Sequence, residues 1–358
     1  MRILFLQQQP CMRALKYAVA LRSASPRIRL GFAYQGKTLS EWYGSGDELF
    51  ERWWDLGSEP ITGLRAAGEE FRPDLIHSHN LPDSLTAIAL ELFAGRVPVV
   101  HDVHDLQSLR RTPYENGFPE PCEALALEQL AIEQCSALVA VSAELLEEIR
   151  ARYRVTAPTL AFANYALRRD LPLTLPPPAR PNGHPPRLVY QGTLSTNGGH
   201  YDLEAIFRTL VGEGLSLDVY PSRSVPAYAE LAAALTGLRV HATLPPQRLL
   251  AALPEYDFGW AGFNSALNGA HLDTCLPNKV YEYLGCGLPV LTLGHRALSQ
   301  LIGENGLGLS LATFDDLVGQ LSAVSLFEVR RRIAAGRLEL TVESNIHRLA
   351  ELYEAIAS

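Results

Sequence analysis

The sequence predicts an α/β protein made of two Rossmann-like domains facing each other across a cleft. Three observations predict it. Short apolar runs alternate with segments of helical period from end to end, the pattern of parallel sheets flanked by helices. Midway, the stretch Asp170 to Pro186 carries seven prolines in seventeen residues. The alternation then restarts, and 358 residues with 47% hydrophobic composition are enough for two cores.

In chain order, strands are expected at "RILFL", "RLGFAY", "DLIHSH", "VPVVHDV", "ALVAVS" and "TLAFAN". Helices fall between most of them, most clearly at Glu123 to Gln134 and Ala143 to Tyr153. Proline fixes φ and removes a donor, so 170–186 reads as a stiff hinge between a domain at 1–169 and a second at 187–341. The second domain offers strands at "RLVYQG", "SLDVY", "LRVHA", "DFGWA" and "PVLTL". Its helices are expected at Asp202 to Val211, around Ala227 to Leu235, within "PNKVYEYLGCG", at Phe314 to Val324 and at Leu326 to Gly336. A closing helix spans 342–358. Ligands of such sheets sit outside the carboxyl ends of the strands, so the cleft lined by those ends is the expected active site.

Composition narrows the function. A net charge of -8 argues against a general nucleic-acid binder. The five cysteines are odd in number and form no Cys-x-x-Cys pair, which reads as reduced thiols in the cytoplasm. No apolar run is long enough to span a membrane, which leaves peripheral contact open. Of 31 basic residues only Lys16, Lys37 and Lys279 are lysine.

Lys279 lies in "PNKVYEYLGCGLPVLTLG". Pro277 and Asn278 suit a helix start, while Gly285 and Gly287 suit its end. Lys279, Glu282 and Tyr283 then share one face. A helix start with an adjacent ammonium favours a phosphate, and a carboxylate one turn on can accept both hydroxyls of a ribose. Together these describe a nucleotide-diphosphate site; a surface helix with a Lys–Glu pair is the plainer alternative.

The same stretch resembles the donor-site motif of GT-B fold glycosyltransferases, particularly glycosyltransferase family 4 and its relatives, with its Pro-x-Lys-x-x-Glu-Tyr-x-x-x-Gly-x-Pro-Val pattern. The resemblance implies that Glu282 binds the donor ribose. The usual second glutamate, eight residues earlier, is Thr274 here, so contacts to the sugar hydroxyls fall to backbone amides or Asp273. The first half carries matching elements. "DLIHSHNLPDSLTAIAL" is similar to the family's strand ending in His-x-His, and "VPVVHDVHDL" to the strand whose end delivers a histidine, here His104 with Asp105 after it. "FANY", with Asn164, resembles the asparagine ahead of the hinge, and "IHRLAELYEAI" the closing helix.

Two departures stand out. Where the family often has Gly-Arg-Leu and a later lysine, this chain reads "GTLSTNGGHYDLEAI", with Thr193 and Asn197 at or near those places. The amides of Gly198 and Gly199 would then form an anion nest. The first βα turn, "QQQPCMRA", lacks glycine, and Arg13 is expected to enter the cleft from the next helix. His77, His79, His101 and His104 suggest a metal, yet no carboxylate or cysteine completes a set at a usual spacing, so none is expected; His101 reads as a core residue.

The resemblance thus implies a sugar transferase that uses a nucleotide-diphosphate sugar as co-substrate, with retention of configuration and no cofactor or metal. The expected donor site comprises Gly192, Thr193, Asn197, Gly198, Arg223, Asn278, Lys279 and Glu282. His104, Lys279 and Glu282 are the expected catalytic group, and Arg13, His79 and Asp105 the acceptor side. The acceptor is left open among a glycan, a lipid and a small metabolite. A catalytically weak scaffold subunit and a sugar-nucleotide epimerase are the alternatives.

Overall fold

The computed structural model describes residues 1–111, 121–175 and 186–357. Contacts divide the chain into two compact units, Met1–Ala163 with Val342–Ser358, and Asn164–Thr341.

The first unit is a seven-stranded parallel sheet in the order β3-β2-β1-β4-β5-β6-β7. Its strands are β1 (Arg2–Gln7), β2 (Arg29–Tyr34), β3 (Arg52–Asp55), β4 (Leu75–His79), β5 (Val99–Val103), β6 (Ala137–Ala140) and β7 (Thr159–Ala161). β4 and β5 are buried at every position, as strands covered on both faces must be. Their register sets His79 beside Asp102 and Ser78 beside His101. Side chains alternate across a strand, so His77, His79 and Asp102 share one face, and Ser78 and His101 the other. The helices Met12–Ala24 and Val342–Ala357 pack together on the first unit. From them, Arg13 reaches Asp102 and Tyr353 reaches His77.

The second unit is a six-stranded parallel sheet in the order β10-β9-β8-β11-β12-β13. It comprises β8 (Arg187–Gly192), β9 (Ser216–Pro221), β10 (Leu238–Val240), β11 (Phe258–Trp260), β12 (Val290–Leu293) and β13 (Gly308–Leu311). Leu188, Tyr190, Leu217, Val219, Phe258 and Trp260 form its core with Phe207 and Tyr228 from the flanking helices.

Two strands, β3 and β13, were not anticipated. Both are four-residue edges. β3 has the exposed, charged ends Arg52 and Asp55, and β13 begins with a glycine, so neither presents an apolar run. Residues 164–175, expected to straddle the end of the first domain and the hinge, group with the second unit. There Asn164 Nδ2 donates to the Leu276 carbonyl at 2.9 Å, and Arg337 donates to the Leu173 carbonyl at 3.1 Å. The rest of the expected hinge, 176–185, lies outside the described residues.

Tyr283, on the helix Asn278–Gly285, fixes that helix to the sheet. Its buried hydroxyl accepts from the Gln191 amide at 3.0 Å, and its ring lies over Gly259 in β11. A Cβ at position 259 would sit 2.4 Å from the ring, so only glycine allows the approach. Gly259→Ala is expected to cost roughly 1–3 kcal/mol through overpacking, read as a lower urea midpoint. An unchanged midpoint would show that the helix is not held by this contact.

Candidate functional site

In the second unit, the candidate site gathers at the carboxyl ends of β8, β9 and β11 and at the start of the helix Asn278–Gly285. That helix opens after Pro277 in extended conformation, and Gly287, at φ +74, turns the chain out of it. Lys279 is 7% exposed. Its ammonium lies 4.0 Å from the ring centroid of Tyr190, 5.3 Å from Phe263 and 6.0 Å from Tyr201. Among the described residues its Nζ makes no hydrogen bond. Burial pushes the amine down from 10.5 to about 7, partly opposed by the charge of Glu282. Ring faces attract the ammonium but cannot replace the hydrogen bonds it had in water.

Gly192, at φ +129, closes the other side. A Cβ there would lie 3.4 Å from Lys279 Nζ. The Thr193 carbonyl accepts from Tyr190 Oη at 2.6 Å, which fixes the ring beneath the amine. Asn278 is the first residue of the helix, one position ahead of Lys279. Glu282, one turn on, accepts from Gln191 Nε2. Sequence reasoning missed Gln191, although a polar residue at the end of an otherwise apolar strand is a readable signal. Its Oε1 is buried with no hydrogen-bond partner among the described residues. Arg223 is exposed in the loop after β9, next to Ser222, whose amide donates to the Gly192 carbonyl at 2.9 Å.

The expected anion nest is not formed. The Gly198 amide donates to Asp202 at 2.9 Å, and the Gly199 amide donates to Asn197 Oδ1 at 3.1 Å. Asn197 therefore organises its own turn, as short polar side chains do, and leaves neither amide open to an anion. Thr274 likewise turns inward, donating to the His271 carbonyl at 2.8 Å. Asp273 accepts from the Arg296 amide at 3.3 Å and lies 3.8 Å from His295 Nδ1.

In the first unit, Asp102 is the hub. Arg13 donates to its Oδ2 at 2.9 Å and its Oδ1 at 3.1 Å, and also to the Phe162 carbonyl at 2.7 Å. Arg13 is thus a buried partner of the hub and not a group reaching outward, correcting the expected acceptor-side role. Burial opposes ionisation of Asp102, yet the Arg13 charge and the His77 hydrogen bond hold its carboxyl well below the usual range. His77 Nε2 lies 3.2 Å from Asp102, and its Nδ1 lies 2.6 Å from Tyr353 Oη. On the opposite face His101 Nδ1 pairs with Thr86 at 3.0 Å, a core residue as expected.

His79 and His104 pair directly, Nδ1 to Nε2, at 3.0 Å. Burial pushes His79 well below its ordinary value and His104 down to about 4. Asn80, also missed from sequence, clamps the backbone around His104. Its Oδ1 accepts from the His104 amide at 2.7 Å and its Nδ2 donates to the Asp105 carbonyl at 2.6 Å. The Asp105 carboxylate lies 3.6 Å from Arg110. Folding also assembles what linear spacing hid. One ligand atom each of Cys11, His79 and His104 lie within 4.8 Å of one another, as do those of His77, His79 and Asp102. A cysteine and a carboxylate thus lie near the histidines in space, although no usual sequence spacing joins them. His79 Nδ1 can nevertheless serve either its bond to His104 or a metal, not both at once.

The state of Lys279 is open to measurement without any ligand. Its amine titrates near 7 when folded and at 10.5 when unfolded, so between those values the unfolded chain binds more protons. Stability should therefore rise with pH across that window. Lys279→Met removes the stranded donor and is expected to be more stable than the parent near pH 7, by roughly 1–3 kcal/mol. The difference should shrink on moving to about pH 9 in urea titrations. A difference that does not change with pH would place the amine in water.

No curated protein matches the sequence. Residues 34–161 match the family described as Glycosyltransferase Family 4. Among solved structures, the chain is similar to sucrose-phosphate synthase from Thermosynechococcus elongatus, with TM-score 0.70 and 12% identity over 99% of this chain and 98% of that one. It is also similar to Anabaena HepE in complex with UDP-glucose, with TM-score 0.69 and 17% identity over 99% and 100%. A putative UDP-N-acetylglucosamine 2-epimerase from Listeria monocytogenes aligns with TM-score 0.61 and 16% identity over 98% and 94%. With its seven- and six-stranded parallel sheets, the chain has the GT-B fold of glycosyltransferases, and its residues 34–161 carry the match to Glycosyltransferase Family 4.

Proposed function

We propose that the protein is a glycosyltransferase that moves a sugar from a nucleotide-diphosphate sugar to an acceptor with retention of configuration. The observation that carries this reading is the Lys279 ammonium, buried at the ligand edge of the second sheet with no hydrogen-bond partner among the described residues. A site of this kind is complete only with an anion. In this reading the diphosphate meets Lys279, the helix start at Asn278 and the loop at Gly192 and Thr193. The ribose meets Glu282, with Arg223 as an exposed second cation from the β9 loop. Catalysis then consists of positioning and of stabilising charge on the leaving diphosphate. In the first unit, His104 meets the transferred sugar or the acceptor, with Asp105 beside it and His79 behind it.

HepE is described in complex with UDP-glucose, which supports UDP-glucose as the first donor to try. Lys279→Ala is expected to weaken binding of UDP by about 1.5–3 kcal/mol, the worth of a charge-assisted hydrogen bond. Glu282→Gln should weaken it less, because an amide oxygen is a poorer acceptor for two hydroxyls. Lys279→Arg should recover little, since the space between Gly192 and the Tyr190 ring suits a compact ammonium and not a planar fork. Titration calorimetry reads all three, and an arginine variant equal to the parent would reduce the argument to charge alone.

The reaction in this reading needs no metal, because a helix start and an ammonium take the ion's place. Activity should then survive a chelator. Loss of turnover in EDTA, restored by zinc, magnesium or manganese, would contradict it and direct attention to Cys11, His79 and His104. The likeness to a putative UDP-N-acetylglucosamine 2-epimerase supports a second reading, sugar-nucleotide epimerisation. Turnover of the donor with no acceptor present would favour it.

A further inference from the structure

We infer that Asp102 and His79 are positioning residues that fix His104 as the neutral tautomer with its proton on the outward-facing Nδ1, so that His104 offers a hydrogen-bond donor to bound ligand and does not take the acceptor's proton. This rests on the reading that His104 meets the sugar or the acceptor.

The sheet register sets His79 beside Asp102. Asp102 is ionised and can only accept. His79 Nδ1 lies 3.5 Å from Asp102 Oδ2 and 3.0 Å from His104 Nε2. With a proton on His79 Nδ1, that proton faces two acceptors. Its Nε2 is then a bare lone pair in a buried site beside the Phe5 ring, with no partner among the described residues. With the proton on His104 Nε2 instead, a lone pair on His79 Nδ1 faces the carboxylate across a low-dielectric interior. His79 Nε2 would then be a buried N–H with no acceptor among the described residues. The first arrangement carries neither fault.

His104 Nε2 is therefore an acceptor, and in the neutral ring the single proton is on Nδ1. Burial keeps the ring neutral near pH 7. Nδ1 makes no hydrogen bond to another described residue, and the side chain is 21% exposed, in contrast to fully buried His79. Asn80 fixes the backbone at His104 and Asp105, and the contact of Nε2 with His79 Nδ1 sets which ring nitrogen faces inward. His77 extends the same logic inward. Its Nε2 donates to Asp102, which leaves Nδ1 to accept from Tyr353 of the closing helix. Asp102 thereby sets the tautomers of both His77 and His79, and through His79 that of His104.

The test has a readout that does not need activity. Long-range proton–nitrogen NMR of the ligand-free, histidine-labelled full chain near pH 7 should place His104 Nδ1 with protonated ring nitrogens and Nε2 with unprotonated ones; His104→Asn assigns the signals. In His79→Phe the His104 signals should move toward the opposite tautomer or a mixture, a change that a purely structural role would not cause. A parent spectrum with the proton on Nε2, or a His79→Phe spectrum unchanged at His104, would overturn the inference. Turnover supplies the second arm. Asparagine sets its amide near the place of Nδ1 and glutamine sets it near Nε2. His104→Asn should therefore keep kcat within about tenfold of the parent, while His104→Gln should lose more. Glutamine matching or exceeding asparagine would contradict the assignment. If no transferase activity is found, the NMR arm still decides the tautomer, so failure of the function and failure of this inference are separable.

Discussion

An ammonium shut away from water, with no hydrogen-bonding partner among the described residues, is the constraint on which this edge of the second unit depends. Lys279 could not stay charged there without help. Tyr190 lies under it, Phe263 and Tyr201 flank it, and Gly192 gives way beside it. Those rings hold the amine near its point of titration and leave it short of the stabilisation that a phosphate oxygen would add. The helix that carries it is in turn fixed by Tyr283 against Gly259, so the position of the amine is set by the sheet itself.

The first unit treats buried charge in the opposite way. Asp102 is as deeply buried as any residue in the chain, but it is fully engaged, with a two-point contact from Arg13 and an imidazole partner in His77. A pair of this kind adds little net stability against an apolar replacement, and breaking one side of it is costly. Its use is orientation: it holds His77, His79 and, through them, the helix carrying Tyr353 and the ring of His104 in one arrangement. Among the described residues, one unit thus leaves a buried amine without a hydrogen bond, and the other engages a buried carboxylate from two sides.

How much of this is legible in the sequence depends on range. The helix Asn278–Gly285 could be read because its start, its end and its Lys–Glu spacing are local. The His-x-His strand could be read as placing two rings on one face for the same reason. Arg13 could not be read correctly, because its partner is 89 residues away and comes alongside only when β5 takes its place in the sheet. Cys11 was set apart from the histidines for the same reason. The aromatic walls around Lys279 come from three separate loops or strands, and no spacing announces them. The loop at 197–202 was a different kind of miss: Asn197 and Asp202 are turn formers that take up nearby amides, and their presence argued locally against an open nest.

In the proposed reading the second unit binds an anion through a lysine near its point of titration. Calorimetry of UDP-glucose binding slightly above neutral pH, in buffers of different ionisation enthalpy, tests it most directly, because that ligand's diphosphate has no proton to exchange there. The account predicts uptake of a fraction of a proton on binding, rising with pH through about 7 and abolished in Lys279→Met. Heats of binding that are independent of the buffer in the parent protein would contradict it.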